Sequence, residues 1–117
     1  MSDESFSNTV ILLPREGMGS ADVALQHQLL DTYLKLLMEN NTLPAAICIY
    51  ADGVKLVTEG SPLLGRLSEI EEKGVRLIVC LTCLKHFGLV EQVRVGIVGG
   101  MTDIVEAQAM ASKVITL

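Results

Sequence analysis

The sequence predicts a single α/β domain built on a mainly parallel sheet of four or five strands. Short apolar, β-branched segments alternate with segments whose apolar residues recur at helical spacing, as in sheets whose strands are joined by helices. The 117 residues suffice for one domain with a buried core, and half of them are apolar while only 3% are aromatic. Such an aliphatic composition suits strands that are buried on both faces.

The first half of the chain contains two predicted strands with a helix between them. Residues 9–13 are apolar and β-branched and end at Pro14, which predicts the first strand. After a glycine-rich turn, apolar residues at helical spacing from Leu25 to Met38 predict a long amphipathic helix that ends at Asn40. Residues 44–50 predict the second strand. The order strand, helix, strand is the one expected of a parallel sheet.

The second half continues this alternation. Ser61-Pro62 combines a capping hydroxyl with a proline at the first helical position, and Lys73-Gly74 supplies a helix end, so a helix is predicted between them. Residues 75–80 predict the third strand, which leads into a short helix-like stretch ending at Phe87-Gly88. The other predicted elements are a helical turn or short strand at 54–59, a weak strand or extended connection at 93–98, a helix at 102–111 and a final strand at 113–117.

Charge and composition exclude several classes of partner. A formal charge of -5 and a pI near 4.9 argue against nucleic acid or an anionic membrane as a partner, because both attract clustered Lys and Arg. No apolar stretch reaches the roughly 18 to 20 residues that span a bilayer. Residues 1–7 are polar, lack the features of a secretory signal and are predicted to be disordered, so we expect residues 8–117 to form a cytoplasmic domain.

Cys80 and Cys83 mark the turn best suited to chemistry, between the third strand and the short helix. Backbone N–H groups at a helix start carry partial positive charge and can stabilise a thiolate, the reactive form of cysteine. Reactive groups of parallel α/β sheets gather beyond the carboxyl ends of the strands. We therefore expect Cys80 to be an accessible, ionised thiol at this edge. Cys48 alternates inside an apolar strand and is expected to be a core residue.

The loops after the first two strands would face the thiols if the strand ends lie side by side. Their glycine backbone and charged side chains would form a rim able to bind an anion or to stabilise a thiolate or persulfide. The predicted rim consists of Gly17, Gly19, Asp52, Lys55, Glu59, Lys85 and His86. Asp22 replaces the third glycine of a dinucleotide fingerprint, so the glycine turn is not predicted to bind a cofactor.

Three other interpretations of the thiol turn stay open. Cys80 can be a small buried side chain that completes a strand, since free cysteine is among the most buried residue types. Cys80, Cys83 and His86 recur every third residue and could converge on a metal ion. A structural zinc site has four ligands, however, and the other histidine, His27, lies in the first predicted helix, away from this turn. No metal is therefore predicted. A thioredoxin-like dithiol is the third interpretation.

The run Gly74-Val-Arg-Leu-Ile-Val-Cys-Leu-Thr-Cys-Leu-Lys-His-Phe-Gly-Leu89 resembles the central segment of the DsrE/DsrF-like family. That segment is a strand, then Cys-x-Thr-Cys, then a glycine followed by a hydrophobic residue. Further segments beginning at Gly17, Gly53, Met101 and Ser112 resemble the C-terminal domain of the YedF-type members, which are sulfurtransferase-like. The resemblance implies a three-layer α/β/α fold, a trimeric or hexameric homo-oligomer and a role in sulfur relay.

The resemblance also implies roles for the two cysteines. In sulfur-carrying members the cysteine precedes the family glycine by the interval that separates Cys80 from Gly88, which implies a persulfide on Cys80. Cys83 matches the second cysteine of its branch and would resolve the persulfide or receive the sulfur. The expected activity is a relay of sulfur or selenium to a partner thiol. That partner, such as a TusA/SirA-like carrier, is expected to be a separate chain, because only a few polar residues precede the first strand. A non-catalytic assembly or regulatory subunit and a dithiol redox protein remain as alternatives.

Overall fold

Five strands alternate with four α-helices in residues 6–117, the part of the chain that the computed structural model describes. The strands are β1 (Thr9–Leu13), β2 (Ala46–Ile49), β3 (Arg76–Cys80), β4 (Ile97–Gly99) and β5 (Lys113–Thr116). The helices are α1 (Val23–Glu39), α2 (Leu64–Glu72), α3 (Leu81–Phe87) and α4 (Met101–Met110), with short 3-10 helices at Phe6–Asn8, Ala51–Val57 and Val90–Gln92. Residues 1–5, from the segment predicted to be disordered, lie outside the described residues, and Phe6 and Ser7 belong to the first 3-10 helix.

All strand pairs are parallel, in the order β4-β3-β2-β1-β5. The chain starts at β1, one strand from an edge, crosses the sheet to β4 at the far edge and returns through α4 to β5 beside β1. Because such crossovers are right-handed, this reversal of direction puts α4 on the face opposite to α1 and α2. Helices α1 and α2 pack against each other, and α4 packs on β3 and β4. The predicted α/β fold with a parallel sheet is confirmed.

The core is aliphatic and lies on both sides of the three central strands. Ile11, Ile47 and Leu77 are neighbours in register and are fully buried, as expected of strands covered by helices. The helices add further buried leucines and isoleucines, namely Leu30, Leu34, Leu67 and Ile70. Burial of each such side chain contributes roughly 1.5–3 kcal/mol. None of the helices in residues 6–117 is long and apolar enough to cross a membrane.

Two predicted elements differ from the structure for local reasons, and one ambiguous segment is settled. Of the two alternatives for residues 54–59, the helical turn is correct for most of the segment, which belongs to the second 3-10 helix, Ala51–Val57. The weak strand predicted at 93–98 shrinks to three residues, because Gly96 has a φ of 87° and so interrupts an extended backbone before β4. The helix predicted from Ser61 starts at Leu64 instead, since the Ser61 hydroxyl accepts the N–H of Leu63 in a turn that precedes α2.

Candidate active site at the carboxyl edge of the sheet

Cys80 and Cys83 lie together at the junction of β3 and α3. Cys80 is the last residue of the strand and also the N-cap of the helix, with extended backbone (φ -72°, ψ 116°), and Cys83 is the third helical residue. An N-cap side chain projects toward the third residue of its helix. Cys83 packs against the buried cluster that includes Cys80, and Cys80 contributes to the raised pKa of Cys83, so the two side chains are neighbours. The sequence prediction that one turn presents both thiols is correct in this respect.

The two thiols differ in their exposure to solvent. Cys80 is 0% exposed, whereas Cys83 is partly exposed. Cys80 still belongs to the sheet, where it pairs with Gly99 of β4, and strand alternation turns its side chain to the same face as Ile78, the face on which α4 packs. The expectation that Cys80 is an accessible thiol is therefore wrong. Cys83 is the accessible thiol of the pair because the helix has carried it out of the sheet.

A backbone amide is directed at the exposed thiol. The N–H of Ala51, the first residue of the second 3-10 helix, donates a hydrogen bond to Cys83 Sγ at an N···S distance of 3.1 Å. Ala51 has a φ of 51°, in the left-handed region that costs a non-glycine residue about 1–2 kcal/mol. Strained residues of this kind cluster at functional sites, where the surrounding structure holds them in place.

Burial and hydrogen bonding act in opposite directions on Cys83. Burial raises the pKa of the Cys83 thiol, the Ala51 N–H opposes this by stabilising the thiolate, and the neighbouring Cys80 raises the pKa further. Burial prevails, so the pKa of Cys83 lies above its usual value and the group is mostly a thiol at neutral pH. The backbone hydrogen bond from Ala51 does not outweigh the loss of solvent at Cys83.

The 3-10 helix that provides this amide lies directly on the end of β1. The N–H of Tyr50 donates to the carbonyl oxygen of Leu13 at 3.3 Å. At Gly53, a Cβ atom would stand only 2.1 Å from the same oxygen, which no real Cβ could do. Glycine is thus needed at residue 53, because it allows the 3-10 helix that begins at Ala51 to pack closely on the end of β1.

Lys55 connects the loops that follow the first three strands. Its Nζ lies 3.3 Å from a carboxylate oxygen of Glu16, 3.0 Å from one of Asp52 and 4.5 Å from the ring centroid of Phe87 on α3. The Asp52 carboxylate raises the pKa of the Lys55 ammonium, which stays charged. Two carboxylates already balance this charge. The predicted rim required a lysine that is free to face the thiol. Lys55 is instead paired with both carboxylates and joins the loops to each other.

The other predicted rim residues have partners that give them structural roles. Glu59 accepts a hydrogen bond from Arg94 at 2.6 Å. Gly17 packs so closely on α1 that a Cβ atom would lie 2.2 Å from the carbonyl oxygen of Gln26, and Gly19 has a φ of 80° in the same turn. Within residues 6–117, these contacts of Glu59, Gly17 and Gly19 do not involve a thiol.

Lys85 and His86 occupy the last turn of α3 and are exposed. The His86 ring meets the Phe87 ring edge to face, with centroids 5.0 Å apart. Across residues 6–117 no three His, Cys, Asp or Glu side chains are grouped so as to hold a metal ion. Both residues therefore lie at the opposite end of the short helix from Cys80.

Two residues at the site, Ala51 and Phe87, were not predicted from the sequence to belong to it. Ala51 carries no sequence signal for a left-handed backbone, and its contact with Cys83 joins residues 32 positions apart. Phe87 was used only to mark a helix end, but it supports Lys55 and forms one wall of a cleft of about 430 Å³ that also includes His27. Because Phe87 ends the same helix that contains Cys83, this cleft lies near the thiol turn.

Comparisons with known proteins agree with this architecture. A model of the DsrE/DsrF-like family matches residues 21–117. Among curated proteins, none matches the chain. The solved structures that it resembles include MTH1491, a protein of unknown function from Methanobacterium thermoautotrophicum, at 22% identity and a TM-score of 0.71, covering 93% of this chain and 97% of that one.

Two bacterial structures are similar in the same way. The ychN protein from E. coli is 16% identical with a TM-score of 0.66, covering 93% of this chain and 98% of that one. BT1422, a conserved protein of unknown function from Bacteroides thetaiotaomicron, is 15% identical with a TM-score of 0.67, covering 98% and 99%. At these identities the likeness shows a common fold. The family match spans most of the chain, so the chain belongs to the DsrE/DsrF-like family.

Proposed function

We propose that the protein is a sulfur carrier in which Cys83 takes up a sulfane sulfur as a persulfide and passes it to a thiol of a partner protein. The observation that carries the proposal is that Cys83 is partly exposed at the carboxyl edge of the sheet while the Ala51 N–H donates to its sulfur. The frequent association of the DsrE/DsrF-like family with sulfur relay supports it. The proposal moves the carrier role from Cys80, where the family spacing put it, to the thiol that a partner can reach.

The chemistry requires one nucleophilic displacement in each direction. On loading, the Cys83 thiolate attacks the outer sulfur of a donor persulfide, an S–S bond forms on Cys83, and the electron pair of the broken bond leaves with the donor thiolate. On unloading, an acceptor thiolate attacks the outer sulfur and Cys83 leaves as a thiolate. Because the Ala51 N–H stabilises negative charge on Cys83 Sγ, it favours formation of the thiolate that is loaded and the departure of Cys83 as a thiolate on unloading.

The raised pKa of Cys83 is compatible with this role. A higher thiol pKa reduces the thiolate fraction but makes each thiolate more nucleophilic. Cys80 is less suited to carry sulfur, because its buried side chain leaves no solvent-accessible room for an additional atom. Its place beside Cys83 suits a second, internal role.

The donor and the acceptor of the proposed relay are thiol proteins of the cytoplasm, such as a TusA/SirA-like carrier. We also propose a homo-oligomer, a trimer or a hexamer. Large exposed apolar side chains on β4 and α4 support it, namely Ile97 (68% exposed), Met101 (48%) and Val105 (56%). Light scattering should give a mass several times that of one chain, and a monomer at all concentrations would remove this part of the proposal.

Sulfur loading followed by intact mass measurement tests the carrier role. The protein is incubated with a cysteine desulfurase and cysteine, and is weighed immediately after these are removed. We expect a gain of one sulfur atom in the native protein, in Cys80→Ala and in the matched control Cys48→Ala, but none in Cys83→Ala. Absence of any gain in both the native protein and Cys80→Ala would contradict the relay, and a gain that is lost only in Cys80→Ala would return the carrier role to Cys80.

A dithiol redox protein is the second candidate function, favoured by the adjacency of the two thiols. It requires a Cys80–Cys83 disulfide that forms and is reduced without any sulfur donor. A redox titration against a dithiol couple distinguishes the two functions. A reversible two-electron transition in the absence of sulfur, combined with no sulfur loading, would favour this candidate over the carrier.

A further inference from the structure

We propose that Cys80 ends the sulfur cycle by attacking the persulfide on Cys83, which releases hydrogen sulfide and leaves a Cys80–Cys83 disulfide. This inference rests on the proposed function, since the step needs a persulfide on Cys83. It gives the site a second activity, the reduction of sulfane sulfur to sulfide, and it gives the buried cysteine a role that the carrier reaction alone does not require.

The position of Cys80 supports a direct attack on Cys83 Sγ. Residues three positions apart at the start of a helix lie near each other, and a disulfide needs Cα atoms only about 4.4–6.8 Å apart. Cys83 also packs against the buried cluster that contains Cys80, so the inner sulfur of a Cys83 persulfide would lie on the side of the core where Cys80 is. The outer sulfur, in contrast, would extend from a partly exposed residue.

Burial restricts what Cys80 can react with. At 0% exposure its sulfur is closed to an external thiol or a donor protein, so its reaction partner must come from within the chain. Cys48 is the other buried cysteine, but it lies inside β2, where its register partner on β3 is Ile78 and not Cys80. Cys83 is therefore the reaction partner that the fold presents to Cys80.

The reaction balances without a further reagent. The Cys80 sulfur forms a bond to Cys83 Sγ while the bond from Cys83 Sγ to the outer sulfur breaks, and the electron pair leaves with the outer sulfur. The proton of the Cys80 thiol goes to that leaving group, so a thiol and a persulfide anion become a disulfide and HS⁻. The sulfane sulfur is reduced by two electrons and the cysteine pair is oxidised by two. A cellular dithiol reductant would be needed to restore the pair for another cycle.

The two proposed fates of the persulfide compete at different atoms. An acceptor thiol attacks the outer sulfur from solvent, whereas Cys80 attacks the inner sulfur from the core. The Ala51 N–H favours the first fate, because it stabilises Cys83 as the departing thiolate. Internal attack needs no second molecule and so prevails when no acceptor is bound.

Loss of the persulfide after loading tests the inference. The native protein, Cys80→Ala, Cys80→Ser and Cys48→Ala are loaded with a cysteine desulfurase and cysteine, freed of both and kept without an acceptor. We expect the native protein and Cys48→Ala to release sulfide in the amount of persulfide lost and to yield a cross-linked Cys80–Cys83 peptide. Both Cys80 variants should keep the sulfur about tenfold longer or more and release no comparable sulfide.

The outcomes separate this inference from the proposed function. A native persulfide that lasts as long as that of the Cys80 variants, with no disulfide, would overturn the inference and leave the carrier intact. Failure of the native protein and of the Cys80 variants to gain sulfur would overturn the carrier itself. If substitution of the buried Cys80 prevents folding, the cross-linked peptide and the sulfide yield of the native protein still decide the question.

Discussion

Cys48 and Cys83 show how one sheet produces an inert thiol and a usable one. Cys48 lies in the middle of β2 between β1 and β3, is 0% exposed, and burial raises its pKa to about 11. Cys83 lies in the first turn of α3, is partly exposed and accepts the Ala51 N–H. The difference teaches that the change from strand to helix, rather than the cysteine itself, creates the site. It moves a thiol out of the sheet and brings it to a backbone donor.

The second 3-10 helix provides the backbone N–H that Cys83 accepts. Gly53 lets that helix rest on the end of β1, and Lys55 ties it to the loop after β1 and to Phe87 on α3. Cys48, in contrast, lies within β2, which is paired on both edges. Substitutions that move or relax the 3-10 helix should therefore affect Cys83 and leave Cys48 unchanged.

The largest expected effect is on alkylation of the native protein. A mild alkylating agent should modify Cys83 on the order of 10³ times faster than Cys48, because Cys48 reacts only when the chain opens. Cys80, also buried, should react as slowly as Cys48. Peptide mapping after timed alkylation measures all three rates. Equal rates for Cys83 and Cys48 would show that Cys83 is no more accessible than a core cysteine.

The pH dependence of the same reaction sharpens the comparison. A free cysteine has a pKa of about 8.5 and is largely ionised above that pH. Because the pKa of Cys83 is raised, its thiolate fraction is still increasing there. The alkylation rate of Cys83 should therefore keep rising above that pH. A rate that levels off well below it would show that the Ala51 N–H outweighs burial.

The next effect in size is the loss of stability in Gly53→Ala. The added Cβ would collide with the Leu13 carbonyl oxygen, so we expect the free energy of unfolding to fall by about 3 kcal/mol. The variant should also show altered alkylation of Cys83, since Ala51 is displaced with the 3-10 helix. Denaturant unfolding measures the first effect and peptide mapping the second.

Gly65→Ala is the matched control for Gly53→Ala. A Cβ at Gly65 in α2 meets no atom within 4 Å, so alanine there should leave Cys83 unchanged and raise the free energy of unfolding by about 0.5 kcal/mol. If Gly53→Ala proves as stable as this control, the 3-10 helix is not held against β1 as described.

The smallest effect is expected for Ala51→Gly. Glycine relieves the left-handed strain of about 1–2 kcal/mol but loses about 0.5–1 kcal/mol through its greater freedom in the unfolded chain. The free energy of unfolding should rise by about 0.5 kcal/mol, and the N–H that contacts Cys83 is retained. Thermal or denaturant unfolding measures this change, and a clear loss of stability would show that Ala51 is not strained.

Local patterns predicted most of the fold, because they report local causes. Alternating β-branched and amphipathic segments gave the order of strands and helices, and the segment around Cys80 and Cys83 gave the family. Tertiary packing decided the rest. The left-handed backbone at Ala51 and the pairing of Lys55 with Glu16, 39 positions away, leave no mark in the sequence nearby. Which of two thiols three residues apart reaches solvent likewise depends on what covers β3.

The most direct test of the carrier role of Cys83 is the location of the added sulfur. The native protein is loaded, its persulfide is capped at once with an alkylating agent under denaturing conditions, and the peptide that contains both Cys80 and Cys83 is fragmented in a mass spectrometer. We expect the additional sulfur on the fragment that carries Cys83. An additional sulfur on Cys80, with Cys83 capped as a plain thiol, would contradict the proposal.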